Sequence, residues 1–106
     1  MDIKSWFENL GYPIAETAFI DETPLPSIVY LDEQENSGPD NANMITQHTV
    51  SIEFYSEIVD ENAEKKIEGI LDEKGIPYTK ERAWVDSERF FMTSYDLDEI
   101  LEKRRV

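Results

Sequence analysis

The chain contains no cysteine among its 106 residues, which excludes disulfides and thiolate metal sites and fits a reducing compartment. Apolar residues never run together for the roughly 20 positions needed to cross a bilayer. Met1-Asp2-Ile3-Lys4-Ser5-Trp6 lacks the basic start and apolar stretch of a signal peptide, so a soluble intracellular product is expected. Glycine occurs four times and never as GxGxxG or GxxxxGK, which leaves no loop to cradle a phosphate. Histidine occurs once, as His48. With no cysteine partner, no nucleophile elbow and no zinc-type ligand spacing, His48 reads as a packed or hydrogen-bonded side chain rather than a base or ligand. Basic residues are scarce, 10 against 24 acids, for a formal net charge of −14. A surface that acidic repels phosphates and anionic membranes, which argues against nucleic-acid binding through a basic face.

What remains is a composition that folds. A hydrophobic fraction of 40%, with five Phe, five Tyr and two Trp, predicts one α+β domain over residues 1–106. Asp2 caps a short helix whose Ile3, Trp6, Phe7 and Leu10 share a face, and Gly11 ends it. Ala15–Ile20 reads as a weak edge strand and Ser27–Leu31 as a compact one. In Thr49–Tyr55, Val50, Ile52 and Phe54 alternate with polar neighbours, the period of a half-buried strand that extends over Ile45–Ser56. From Asp60 the period becomes helical, with Ala63, Ile67, Ile70 and Leu71 on one face and charged residues on the other, up to Lys74. Two further strands follow near Pro77–Val85 and Glu88–Leu97, turning at Asp86-Ser87. Asp98–Val106 is a C-terminal tail that either extends the last strand or makes a helical turn. The order predicts a mostly antiparallel sheet of four to five strands, with the N-terminal helix and one central helix packed on one face. The link from the long strand through the central helix suits a crossover between parallel strands, whose adjacency is left open.

Three features point to surfaces rather than chemistry. Asp32–Asn43 (DEQENSGPDNAN) has loop composition throughout, and a mobile acidic loop of that length is usually functional. Its Asp32, Glu33, Glu35 and Asp40 are candidate partner-facing acids. As a calcium loop it fails, because glycine falls one place late at Gly38 and the bidentate acid is replaced by Asn43. Phe90 and Phe91 are adjacent on one strand and must face opposite ways, so at least one is a candidate interface anchor. Lys103, Arg104 and Arg105 make a basic end suited to docking on an acidic neighbouring subunit. No catalytic, cofactor-binding or metal-binding residue is expected.

The succession of short phrases resembles a known family. Gly11-Tyr12-Pro13 follows a short helix, Pro24-Leu25-Pro26-Ser27-Ile28-Val29-Tyr30 leads into a polar loop, and Val50–Tyr55 leads into an acidic helix. That helix ends Gly75-Ile76-Pro77-Tyr78, and an aromatic return strand closes at Tyr95-Asp96-Leu97. The pattern, from about Ile3 to Leu101, resembles the small tail-terminator and head–tail joining proteins of long-tailed bacteriophages and prophages. The resemblance implies α+β subunits in a ring, commonly hexameric, at the top of the tail tube. It implies tail-tube and head-connector proteins as partners, no cofactor, and a place in the virion or, from a prophage, in the bacterial cytoplasm. Two other readings compete: an acidic DNA mimic that occupies a nucleic-acid-binding protein, and an unrecognised hydrolase or metal enzyme.

Overall fold

The structure, a computed structural model, describes residues 1–38 and 45–103. Helix α1 covers Ile3–Phe7 and passes into a 3₁₀ turn at Glu8–Leu10. The Asp2 carboxylate accepts from the Ser5 amide at the start. Gly11 closes the turn at φ +81°, donating its N–H to the Glu8 carbonyl, a left-handed position that a side chain would disfavour. Strand β1 (Ile14–Glu16), β2 (Ser27–Ser37) and β3 (Ile45–Ser56) come next, then α2 (Glu61–Glu73), β4 (Tyr78–Val85), β5 (Phe90–Leu97) and β6 (Ile100–Lys103).

The strands form one six-stranded mixed sheet in the order β1-β2-β3-β5-β4, with β6 also paired to β3. The expected sheet had four to five mostly antiparallel strands. The extra strand is β6, from the tail, and the sheet is mixed because the edge strand, expected at Ala15–Ile20, lies at Ile14–Glu16 and pairs parallel to β2. β3 and β4 are parallel but not neighbours, because β5 pairs antiparallel to both and lies between them. The β3-α2-β4 connection is therefore a split crossover.

Helix α2 is bounded as its sequence predicts. The Asp60 carboxylate accepts from the Ala63 amide at 3.0 Å. At the other end Gly75 is left-handed, its N–H bonds the Asp72 carbonyl, and the Ile76 N–H bonds that of Leu71. This pair of bonds is a Schellman stop.

Both helices cover one face of the sheet. Ile3, Phe7, Ala63, Ile67 and Leu71 from the helices pack with Ile28, Val50, Ile52, Phe54, Tyr95 and Leu97 from the strands into a single core. Every second residue of β3 from Thr46 to Ser56 is buried on that face, as strand alternation requires. At about 25 cal/mol per Å² of apolar area, this one-sided core supplies most of the stability. Among the described residues the opposite face has no second layer of helices, and the Thr17–Pro26 loop crosses it at one end. The hairpin turn between β4 and β5 is longer than Asp86-Ser87. It runs through Arg89, which sits at φ +57° and donates its N–H to the Val85 carbonyl.

The largest departure from expectation lies at Asp32–Asn43. Asp32–Ser37 is strand, not loop, because β2 pairs with β3 residue for residue from Ser27↔Tyr55 to Ser37↔Ile45. The polar composition misled because these residues border a narrow projecting ribbon, where few side chains are buried and hydrophobic alternation is not required. Residues 39–44, which include the expected Asp40, lie outside the described residues, as do Arg104 and Arg105.

The tail is likewise strand. Between the pairs Asp96↔Ser51 and Ile100↔His48, the residues Leu97, Asp98 and Glu99 oppose only Val50 and Thr49. One extra residue makes a bulge, and it keeps Leu97 and Ile100 on the same, core-facing side. β5 and β6 thus run along β3 as one interrupted strand.

Candidate interaction surfaces

The β2–β3 hairpin is an arm. Beyond Tyr30, where β1 stops, the outer edge of β2 from Leu31 to Ser37 has no strand partner among the described residues. At 3.3 Å per residue this open edge is about 23 Å long. The molecule measures 50 × 29 × 23 Å, elongated as such a projection requires.

Inside the arm root the buried polar residues are internally paired. His48 is 3% exposed, with Nδ1 2.8 Å from Asp32 Oδ1 and Nε2 3.3 Å from Glu102 Oε1. Each ring nitrogen faces a carboxylate from a neighbouring strand, so the ring ties β2, β3 and β6 together. Interaction with the Met1 amine and with His48 holds the Glu102 carboxyl below its ordinary range. One residue pair further along, the Thr46 hydroxyl donates to Asn36 Oδ1 at 2.8 Å. Asp32 therefore does not belong with the partner-facing acids. It lies on the core side of β2, its side chain 6% exposed, and its charge is spent on His48. The sequence reading of His48 as a hydrogen-bonded strand residue matches this arrangement.

A second polar cluster joins α2 to the β4–β5 ribbon. Glu64 is 1% exposed and sits on the buried face of α2, which the helical pattern had reserved for apolar residues. Its carboxylate takes a fork of two bonds from Arg82, one of them to Nε at 2.9 Å, an ion pair from Lys80 at 2.9 Å, and the Thr93 hydroxyl at 2.9 Å. Lys80 also reaches Glu68, which accepts from the Tyr95 hydroxyl at 2.8 Å. Desolvation pushes the Glu64 carboxyl up, but the bonds from Arg82, Lys80 and Thr93 outweigh it and hold the pKa at about 2. Burial, together with its bond to Glu68, raises the Tyr95 phenol far above its usual range. No buried side-chain nitrogen or oxygen among the described residues lacks a partner. The signal for Glu64 was available, since it precedes Ile67 and Leu71 at helical spacing while Lys80 and Arg82 alternate along β4.

The open face of the sheet has three zones. At the body end, Phe19, Leu25, Val29, Tyr55 and Phe90 line an apolar groove of about 280 Å³ under the Thr17–Pro26 loop. Phe90 packs on Tyr55 with ring centroids 4.9 Å apart, whereas Phe91 points to the helix side against Trp84. Of the two adjacent aromatics, Phe90 is the one on the open face. The middle zone is acidic and hydroxylic, with Ser51 and Glu53 of β3 and Ser94 and Asp96 of β5 on one side of the sheet. The outer zone is the arm, where Glu33 and Glu35 of β2 share the open face with Ile45 and Leu101, 36% and 66% exposed, and with Lys103. Lys103 is the only basic strand residue on the open face among the described residues, because Lys80 and Arg82 point to α2.

Of the candidate interface residues, Glu33, Glu35, Phe90 and Lys103 lie on the open face, which also presents Val29, Tyr55, Ile45 and Leu101. Tyr55 and Ile45 were legible as the alternate residues of β3; Val29 and Leu101 needed the register of β2 and β6. Among the described residues no helix is long and apolar enough to cross a membrane. No protein-family model matches the chain, and no curated protein matches it significantly.

Proposed function

We propose that this chain is a structural virion or prophage protein, a subunit of an oligomeric ring, hexameric by resemblance, that ends a phage tail tube and joins it to the head connector. The observation that carries the reading is the architecture. A helix-covered body projects an arm of β2, β3 and β6, and one sheet face is left without a second layer among the described residues. Such a subunit offers surfaces to copies of itself, while its buried titratable groups hold the fold together. The phrase pattern from Gly11-Tyr12-Pro13 to Tyr95-Asp96-Leu97 supports the same reading. The charge is compatible with a channel, because DNA slides past like charge without adhering. Sedimentation velocity across a wide range of protein concentration tests it. A concentration-dependent shift to one large species of fixed mass is expected, and rings in negative-stain images should accompany it.

The open-face acids Glu33, Glu35, Glu53 and Asp96 favour a second reading, a DNA mimic that occupies a basic nucleic-acid-binding site. That reading predicts a monomer or small oligomer at every concentration and tight, salt-sensitive capture of a basic partner.

A further inference from the structure

The arm leaves a strand edge bare. β1 follows β2 only as far as Tyr30, because Thr17, at φ +68°, bonds its N–H to the Tyr30 carbonyl and turns the chain away. From Leu31 to Ser37 the outer edge of β2 therefore keeps its backbone groups without a strand partner among the described residues. An antiparallel strand turns every second residue outward, and each of these presents an N–H and a C=O together. Proline, lysine and bulges keep other strands off native edges. This edge has none of them, and its pairing with β3 runs unbroken from Ser27 to Ser37. The opposite edge of the sheet, β4, does carry cations, Lys80 and Arg82.

What the arm edge carries is Glu33 and Glu35, both exposed and both on the open face. A strand added along β2 places side chains directly opposite these two. Lys103, the base on that face, lies two strands away across β3, about 10 Å from the edge. The matching strand thus has Lys or Arg at alternate positions. A second copy does not supply it through either edge. Two arm edges paired antiparallel about Gln34 oppose Glu33 to Glu35 twice, and like charges directly opposite are destabilising. The cations of β4 point to the helix side, where Glu64 holds them.

We infer that the free edge Leu31–Ser37 takes up, by strand addition, an extended segment of another protein with Lys or Arg at alternate positions. Main-chain bonds to the edge give the affinity, and cations opposite Glu33 and Glu35 give the choice of partner. The contact needs one arm and no assembly, so it stands apart from the ring reading.

The probe is the peptide acetyl-Val-Thr-Lys-Thr-Lys-Thr-Val-amide, whose lysines share one face of an extended strand. Hydrogen exchange is read by NMR at micromolar protein. The outward-facing amides of Leu31–Ser37 should slow about tenfold when the peptide stands at about ten times its Kd, while the β4 amides are unchanged. The same peptide with Glu in place of Lys should give no slowing. The double variant Glu33→Lys/Glu35→Lys should reverse the preference, taking the Glu peptide and refusing the Lys peptide. No slowing at Leu31–Ser37 with millimolar Lys peptide would overturn the inference. Equal slowing along β4 would do so too, since the peptide would then add to any edge. Equal binding by a Lys peptide N-methylated along its backbone would leave charge attraction without strand addition, and would also overturn it. So would a double variant that takes neither peptide while its β3 and β5 amides keep their native exchange rates.

Discussion

At the scale of single residues, the charges that matter most for the fold are hidden from the solvent. Glu64 is the clearest case, an acid on the apolar face of α2 met by two cations and a hydroxyl. Breaking a buried ion pair by removing one partner costs about 3–5 kcal/mol. Here Lys80 and Arg82 remain roughly a third exposed, 33% and 31%, so water takes up part of their charge. Glu64→Gln should therefore cost about 2 kcal/mol in urea denaturation at pH 7. The same carboxylate sets part of the acid response. Its folded pKa of about 2 lies below the ordinary 4.5, so the folded chain binds that proton less readily than the unfolded chain. The stabilisation is complete above pH 4.5 and is lost as pH falls through 2. Glu64→Gln should flatten the stability curve in that window, and a curve as steep as the unmodified protein's would assign the acid response to other groups. That Glu64 was missed has a physical reason. Helical periodicity reports where apolar residues face, and an acid on that face becomes tolerable only once Arg82 and Lys80 arrive from β4, 18 and 16 residues later.

At the scale of elements, strands and helices with a buried face were legible and those without one were not. β3 and α2 carry strong periods because each is half-buried, and their bounds match the caps and alternation closely. Asp32–Ser37 and Ile100–Lys103 carry no such period. Their strand state is decided by register with β3 and by the bulge at Leu97–Glu99, both long-range facts. His48 supplies the local fastening. Glu102→Gln removes one of the two carboxylates beside the His48 ring, and it should speed hydrogen exchange of the β6 amides while leaving β3–β5 protection unchanged. Equal loss of protection across the sheet would mean that β6 unfolds only with the whole domain. The β4–β5 turn offers a gain in the other direction. Arg89 at φ +57° bears a left-handed strain of about 1 kcal/mol, partly offset by its guanidinium lying 5.9 Å from the Trp84 ring. Arg89→Gly should raise stability by about 0.5 kcal/mol, measured by thermal unfolding, and a lowered midpoint would show that the stacking outweighs the strain.

At the scale of the whole molecule, the proposed ring has to form between chains of net charge −14, and that charge sets the terms. Self-association of a −14 chain should strengthen as salt rises to about 0.15 M, where the Debye length falls to about 8 Å and general repulsion is screened. Capture of a basic protein by a DNA mimic has the opposite salt dependence. Light scattering on a salt series would distinguish the two trends. Whether the chain closes into the proposed ring is read from the mass of the assembled species. Sedimentation velocity of the unmodified protein, from micromolar to millimolar concentration at 0.15 M salt, should show monomers giving way to one species of fixed mass, a whole number of subunits that does not grow with further concentration. A monomer that persists across the range, or an open series of ever larger species, would contradict it.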